Sequence, residues 1–321
     1  MSWRPSATRE ALHARAALLA DIRQFFRARS VLEVETPLLC SAGVTDPALE
    51  PLVVAQDASG HLSGSPKRYL QTSPEYAMKR LLAAGIGDCY QLGKAFRAGE
   101  VGRRHNPEYT LLEWYREHFD HYQLIRETAE LVCSVLHRKR WEVWPWGGLF
   151  RQILGIDAHG ASLAELQSLA LVEVGPLPQG LDRDSLLDLL MSHCIEPAIS
   201  AWGVVFVVDY PASQAALAKR IDRGGLAVGA RFECYVDGIE IANGYWECAD
   251  AEEMRLRFEE DNRVRLRRGL EPKPIDGNLL AALAAGMPDC AGVALGVDRL
   301  LMLKLGVASI AETLAFDWSS S

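Results

Sequence analysis

A basic loop between two predicted strands is the stretch of this sequence best suited to holding an anionic ligand. Residues 90–96 have the aromatic and apolar content of a strand, and residues 109–115 alternate as a second strand does. One face of that second strand carries Tyr109, Leu111, Glu113 and Tyr115. The loop holds four basic side chains, which are Arg97, Arg103, Arg104 and His105. This combination suits a ligand that is anionic at one end and cationic at the other, although a solvated hairpin tip would have the same composition.

Two glutamates are predicted to meet across a second hairpin. The dipeptide Asp237-Gly238 between apolar runs is typical of a two-residue hairpin turn. In that register Tyr235 lies opposite Glu240 and Glu233 lies opposite Ala242, so the two glutamates are diagonal neighbours on the same face. Two like charges so placed repel each other unless a cation lies between them, so the pair indicates a divalent metal. A solvent-facing sheet would explain the pair equally well.

The elements that must position these residues follow from periodicity and turn signals. Residues 8–29 form an amphipathic helix, and residues 31–36 form a strand that turns Leu32 and Val34 toward a core. Residues 38–68 are predicted to be irregular or to form short strands. Residues 140–201 are predicted to be a mainly helical insertion, to which no chemistry is assigned.

Two helix starts lie where a ligand could bind. Ser73-Pro74-Glu75 opens a helix, since proline suits the first turn and a glutamate there complements the helix dipole without any ligand. The stretch from Gly292 to Arg299 reads as a strand with glycines that allow close ligand approach, followed by an arginine at the start of an apolar helix.

The bulk composition narrows the class of protein. The 321 residues are 49% hydrophobic, enough for one large domain or two modest ones. A net charge of −8 argues against general nucleic-acid affinity, which rests on neutralising phosphates. Seven cysteines without a CxxC pair fit a reducing compartment. With no signal peptide and no apolar run long enough for a membrane span, we expect a cytoplasmic protein.

Three of these stretches, in order, resemble the three motifs of class II aminoacyl-tRNA synthetases in the lysyl, aspartyl and asparaginyl branch. FFRARSVLEVETPLL at residues 25–39 resembles motif 1, and residues 96–115, with FR, RHNPEYT and LEWY, resemble motif 2. GVALGVDR at residues 292–299 resembles motif 3, and EIANGYWE at residues 240–247 resembles a segment of lysyl-tRNA synthetases. The resemblance runs from about residue 8 to the end of the chain.

The resemblance implies a fold and an assembly. The fold class is α+β, the class II aminoacyl-tRNA synthetase catalytic domain, with a mostly antiparallel sheet flanked by helices. We expect a single domain over residues 1–321 that includes the helical insertion. An anticodon-binding OB-fold domain is not expected, because motif 1 begins by about residue 20. A homodimer through motif 1 is implied as well.

The resemblance also implies activation of a lysine-like amino acid by ATP and magnesium, with a role for each matching residue. The catalytic residues are Arg97 and Arg299. The ATP-binding residues are Arg97, Glu100, His105, Asn106, Tyr109, Glu240, Ile241, Gly296 and Arg299. The amino-acid-binding residues are Ser73, Pro74, Glu75, Glu113, Tyr115, Asn243, Glu247 and Ala294. The magnesium ligands are Glu233 and Glu240.

Two positions depart from the usual pattern. Motif 2 usually reads Phe-Arg-x-Glu, but Gly99 occupies the glutamate position and Glu100 follows it, so it is open whether Glu100 replaces that carboxylate. Ala294 stands where lysyl-tRNA synthetases usually have glycine. An extra methyl in a tight pocket favours one amino-acid backbone over another, which is consistent with a β-amino acid.

Within the family, the chain looks like the short paralogues of lysyl-tRNA synthetase that attach lysine or (R)-β-lysine to a lysine side chain of elongation factor P. That protein is then the expected partner, with tRNA and membranes not expected as partners. Two alternatives stay open: a truncated synthetase that acylates tRNA, and a non-catalytic regulatory paralogue.

Overall fold

The computed structural model of the protein describes residues 3–54 and 67–321. Part of the predicted irregular stretch at residues 38–68 therefore lies outside the described residues. The chain divides into two compact units. Unit 1 comprises Met1–His118, Ala249–Cys290 and Ala294–Ser321, and unit 2 comprises Phe119–Cys248 and Ala291–Val293.

The strands are numbered in chain order. They are β1 Leu32–Glu33, β2 Leu39–Cys40, β3 Val53–Val54, β4 Arg68–Leu70, β5 Cys89–Phe96, β6 Glu108–Glu117, β7 Trp141–Pro145, β8 Val204–Pro211, β9 Arg220–Asp222, β10 Ala227–Val236, β11 Ile239–Trp246 and β12 Cys290–Gly296.

The α-helices are numbered in the same way. They are α1 Arg9–Arg27, α2 Glu75–Ala83, α3 His121–Leu136, α4 Trp146–Leu154, α5 Leu163–Glu173, α6 Arg183–Leu190, α7 Glu196–Ala198, α8 Ala251–Arg267, α9 Gly277–Gly286 and α10 Val297–Leu305. A π-helix at Met191–Ile195 continues α6, and short 3-10 helices lie at Ile199–Trp202, Ala212–Gln214 and Ile310–Thr313.

Unit 1 is built around the antiparallel pair β5–β6, which β1 extends as a parallel neighbour of β5. Helix α1 packs on this sheet through Phe26, whose ring stacks on Tyr90 at 4.4 Å and meets Trp114 edge-on at 5.3 Å. Burying aromatic side chains of this size stabilises the contact by about 2–3 kcal/mol each. The short strands β2, β4 and β3 form a separate antiparallel sheet.

Unit 2 is built around β8, β10 and β11, which pair antiparallel, with β7 parallel to β8 and β9 antiparallel to β10. Buried side chains of the helices α4 to α6 pack against this sheet, where Trp146, Phe150 and Leu187 share one apolar cluster with Val205 and Val207. The predicted insertion thus supplies most of the helical cover of its own unit.

The α+β class with mostly antiparallel sheets is confirmed. The expectation of a single domain stays a prediction. In the part of the chain that the structure describes, no helix combines the length and apolarity that crossing a membrane requires.

One predicted strand differs from the structure. The strand expected at residues 31–36 covers only Leu32–Glu33, and Leu32 is 52% exposed rather than directed into the core. Val31 is the buried residue, because the turn after α1 places it against the sheet through its backbone bond to Phe26.

Two buried cations in unit 1, Arg265 and Lys273, hold the chain that precedes β3. Arg265 of α8 is fully buried and donates to the carbonyls of Asp46, Leu49 and Glu271 as well as to the Glu50 carboxylate. Lys273 donates to the same carboxylate at 2.5 Å. The Glu50 carbonyl accepts from the Ala98 N–H at 2.7 Å, so this group braces the residue that follows Arg97.

We expect Arg265→Met to destabilise the protein by about 3 kcal/mol, since it removes the buried donor of three carbonyls and leaves the Glu50 carboxylate with Lys273 alone. Arg263→Met, on the exposed side of the same helix, should cost less than about 0.5 kcal/mol. Urea denaturation of the two variants measures both values. Equal losses would contradict a special role for Arg265.

Candidate functional site

The motif 2 hairpin brings Arg97 and Tyr109 together. The β5–β6 pairing sets Phe96 opposite Glu108, and the Arg97 N–H donates to the Pro107 carbonyl at 2.9 Å. The Arg97 guanidinium lies 5.1 Å from the centre of the Tyr109 ring, a cation–π contact. The Tyr109 hydroxyl donates to the Thr72 carbonyl at 2.7 Å, which fixes the ring. The result is a rigid aromatic surface beside a cation.

Glu100 lies next to Arg97. Gly99 has φ +77°, a left-handed conformation that favours glycine, and no atom lies within 4 Å of where its Cβ would be. The Glu100 carboxylate lies 3.6 Å from the Arg97 guanidinium. Glu100 is therefore near enough to orient Arg97, although it stands one position later than the usual motif 2 glutamate.

His105 and Arg299 form a second pair in unit 1. The Arg299 guanidinium lies 2.7 Å from His105 Nε2, and its Nε donates to the Arg104 carbonyl at 3.1 Å. Burial and the charge of Arg299 lower the pKa of His105 below its ordinary value, so the imidazole is neutral at pH 7 and accepts from Arg299. This pair offers a fixed cation to an anionic ligand.

Asn106 has a structural use. Its Nδ2 donates to the Glu108 carbonyl at 2.7 Å, and its Oδ1 accepts from the Trp318 N–H at 2.9 Å.

Gly296 is the N-cap of α10, and Ala294 lies two residues earlier in β12; both are half-buried. The helix start predicted at Ser73-Pro74-Glu75 is present, with Pro74 at the N-cap of α2.

A buried acidic cluster occupies the middle of β6 and the start of α2. Glu113 is 2% exposed and accepts from the Ser73 hydroxyl at 2.5 Å and the Tyr115 hydroxyl at 2.8 Å. The Ser73 hydroxyl also accepts from the Glu75 N–H at 3.1 Å. Lys79, itself buried, donates to the Glu75 carboxylate at 2.6 Å. Four predicted amino-acid-binding residues therefore meet within unit 1.

The environment of Glu113 disfavours its charge. Burial, followed by the nearby Glu75 carboxylate, raises the pKa of Glu113 to about 8. Hydrogen bonds from Ser73 and Tyr115 oppose the rise without cancelling it. A ligand with an ammonium group beside Glu113 would restore the carboxylate, so this cluster is suited to a cationic ligand.

This raised pKa predicts a pH dependence of stability. Between the ordinary glutamate pKa and about 8, the folded protein holds a proton at Glu113 that the unfolded chain has lost. The Glu113 contribution to the free energy of unfolding should therefore fall as pH rises through this window. Glu113→Gln should remove that slope between about pH 5 and 8 in urea denaturation. Parallel pH profiles for both proteins would contradict the assignment.

In unit 2 the segment at residues 240–247 is fixed by its backbone and side-chain contacts. Glu247 is 1% exposed, and its neighbours are held by the bonds from Lys219 N to Trp246 O at 2.8 Å and from Cys248 N to Leu217 O at 3.0 Å. Asn243 accepts from Arg231 at 3.3 Å and donates to the Tyr245 hydroxyl at 3.1 Å. Ile241 is buried, so its side chain belongs to the core of this unit.

The register predicted for this hairpin is correct beside the turn, where Tyr235 lies opposite Glu240, and is wrong by one residue at Glu233. The turn at Asp237-Gly238 is present, with φ of 50° and 74° as a two-residue hairpin requires. A bulge between Cys234 and Tyr235 then shifts the pairing, so that Glu233 lies opposite Asn243 rather than Ala242.

The surroundings of Glu233 do not fit the predicted magnesium pair. One of its carboxylate oxygens accepts from Arg231, and the other accepts from the hydroxyls of Tyr210 at 2.6 Å and Tyr235 at 2.5 Å. Both oxygens thus have protein donors. Across residues 3–54 and 67–321, no group of three or more His, Cys, Asp or Glu side chains could hold a metal ion. Glu233 orders Arg231, which in turn donates to Asn243, and the pairing of Glu233 with Glu240 around magnesium stays a prediction.

Sequence reasoning missed Lys79, Arg231, Tyr210 and Tyr235. Lys79 stands four residues after Glu75 on a helix, a spacing at which opposite charges meet. Arg231 and Tyr235 stand two residues from Glu233, on the same face of its strand. These spacings could have predicted the Lys79–Glu75 contact and the contacts of Arg231 and Tyr235 with Glu233. The hydrogen bond from Tyr210 to Glu233 depends on how β8 pairs with β10, which no local sequence pattern indicates.

Comparison with known proteins gives consistent matches over nearly the whole chain. The family described as tRNA synthetases class II (D, K and N) matches residues 1–319. The protein named elongation factor P–(R)-β-lysine ligase from Klebsiella pneumoniae subsp. pneumoniae is 49% identical, covering 98% of this chain and 97% of its own. Ligases of the same name from Salmonella paratyphi B and Salmonella enteritidis PT4 match with the same identity and coverage.

Proposed function

Because this chain belongs to the class II tRNA synthetase family of the D, K and N enzymes, we propose that it is a ligase that activates (R)-β-lysine or lysine with ATP and transfers it to a lysine side chain of elongation factor P. The observation that carries this function is the 49% identity to ligases of that activity over 97% of their length. The buried acidic cluster around Glu113 supports a cationic amino acid as the substrate.

The first step joins the amino acid to AMP. A carboxylate oxygen attacks the α-phosphorus of ATP, the bond from that phosphorus to the bridging oxygen breaks, and pyrophosphate leaves. A carboxylate is already a nucleophile at neutral pH, so no general base is needed. The protein contributes position and charge stabilisation.

The residues of the site divide the work of that step. Arg97 binds the α-phosphate and the attacking carboxylate, with Glu100 orienting its guanidinium. Tyr109 supports the adenine by stacking. Arg299 and His105 bind the distal phosphates. Asn106, Gly296 and Ile241 complete the ATP contacts through backbone groups, because their side chains are absent or already engaged.

The amino groups of the substrate are recognised by carboxylates. Glu113 and Glu75 attract an ammonium group, with Ser73, Pro74 and Tyr115 fixing their positions. Glu247 and Asn243 recognise an amino group as well, and Ala294 limits the shape of the amino-acid backbone. A neutral competitor lacks the ammonium group that these acidic side chains attract, so it should bind less well.

Glu240 is the carboxylate that would hold a magnesium ion bound with ATP, since this ion favours oxygen ligands shared with phosphates. Glu233, the other predicted ligand, is engaged by its protein donors. The ion would supply positive charge to the phosphates.

In the second step the ε-amine of the acceptor lysine attacks the carbonyl of the adenylate. The new carbon–nitrogen bond forms an amide, the carbon–oxygen bond to AMP breaks, and the amine loses a proton. The reaction belongs in the cytoplasm, where translation factors and ATP are available.

The protein acts as a homodimer through the motif 1 region. Three apolar side chains of this region are more than two-fifths exposed, namely Leu32, Leu38 and Leu39. Exposed apolar residues clustered in this way are typical of an interaction surface.

The activation step is tested by ATP–pyrophosphate exchange with the purified protein. Exchange should depend on (R)-β-lysine or lysine and should be absent with leucine, whose side chain carries no ammonium group for the acidic side chains to attract. Exchange that is equal for all three amino acids, or absent for all, would overturn the proposed substrate class.

A further inference from the structure

A buried charged network in unit 1 joins helix α1, strand β6 and helix α10. Arg15 of α1 donates to Asp298 Oδ1 at 2.7 Å and to the Thr110 hydroxyl at 2.5 Å. The other Asp298 oxygen accepts from the Thr110 N–H at 2.8 Å. Each of the three residues thus contacts the other two.

The network is shielded from water. The side chain of Asp298 is 4% exposed and that of Arg15 is 15% exposed. Arg15 also donates to the Thr313 carbonyl at 3.3 Å, which ties it to the chain after α10. Charge-assisted hydrogen bonds in such surroundings hold their geometry more strictly than surface ion pairs.

The network lies one residue away from two proposed ATP contacts. Thr110 follows Tyr109 on β6, and Asp298 precedes Arg299 at the start of α10. Arg299 in turn donates to the Arg104 carbonyl and contacts His105. Two consecutive residues of α10 therefore contact β6 and the motif 2 loop: Asp298 bonds to Thr110, and Arg299 bonds to the Arg104 carbonyl. These contacts set the distance between Tyr109 and Arg299.

We propose that Arg15 is a positioning residue for ATP, because it locks Asp298 against Thr110 and so fixes the spacing of Tyr109 and Arg299. This inference rests on the proposed ATP site. Arg15 itself touches no substrate and acts through Asp298. The ATP site is therefore connected to α1, the helix of the motif 1 region, by one side chain.

Equilibrium binding of ATP to purified variants tests the inference. Arg15→Met should weaken ATP binding about tenfold, because displaced contacts lose much of their binding energy. Arg15→Lys keeps a charge for Asp298 but cannot reach both partners, so it should fall between Arg15→Met and the unchanged protein. The control is Arg23→Met, on the same helix but 49% exposed, which should bind ATP as the unchanged protein does.

A second readout separates positioning from general structure. In pyrophosphate exchange, Arg15→Met should raise the KM for ATP while leaving the KM for the amino acid within about twofold. Equal increases in both KM values, or unchanged ATP binding, would overturn the inference. If Arg15→Met does not fold, Thr110→Val removes only the hydroxyl acceptor and should weaken ATP binding by a smaller factor, while Thr110→Ser should restore it.

These measurements keep two failures apart. If the unchanged protein binds ATP but shows no amino-acid-dependent exchange, the proposed function fails and the binding series still decides the role of Arg15. If exchange is present and ATP binding does not respond to Arg15, only the positioning inference fails.

Discussion

Arg97→Ala is expected to slow amino-acid-dependent pyrophosphate exchange by about 10²–10³-fold, the usual cost of removing one preorganised donor from a developing anionic charge. Arg97 suits this role because Tyr109 and Glu100 hold its guanidinium from two sides. Because the contact is strongest in the transition state, most of the loss should be in kcat rather than in the KM for ATP.

Two further variants sharpen the Arg97 test. Arg97→Lys should recover little activity, since an ammonium group cannot make the paired contacts of a guanidinium. Arg104→Ala is the matched control, because this exposed neighbour contributes its backbone carbonyl rather than its side chain. Comparable losses of exchange rate for Arg97→Ala and Arg104→Ala would mean that the total positive charge of the loop, rather than Arg97 itself, stabilises the transition state.

Glu247→Gln should raise the KM for the amino acid by about 10²-fold, because a neutral amide replaces the partner of a buried ammonium group. The KM for ATP should stay within about twofold. Glu173→Gln, an exposed carboxylate in the same unit, should change neither value. Equal effects on both substrates would remove Glu247 from amino-acid recognition.

Local signals predicted the elements of this fold well. The helix start predicted at Ser73-Pro74-Glu75 opens α2 as expected, and the Asp237-Gly238 turn joins β10 to β11. Both depend on interactions within a few residues, which the sequence displays directly. The contacts among Ser73, Glu75, Glu113 and Tyr115 were also foreseeable, but only because the motifs resemble a known family.

The features that the sequence did not predict depend on tertiary packing. The bulge at Cys234 and Tyr235 shifts the register of Glu233, and no turn signal marks it. The donors to Glu233 come from its own strand and from β8, namely Arg231, Tyr235 and Tyr210, and its pairing with Glu240 around magnesium stays a prediction. Arg15 likewise looked like an ordinary basic residue of an amphipathic helix, and its partners are 95 and 283 positions away along the chain.

The acceptor of the activated amino acid tests the central claim most directly. The purified protein is incubated with ATP, magnesium and labelled (R)-β-lysine or lysine, and is offered elongation factor P or bulk tRNA in parallel. Intact mass and acid-precipitable label should show one added residue on elongation factor P and none on tRNA. Label on tRNA alone would contradict the protein-ligase assignment and make this chain a tRNA-acylating synthetase.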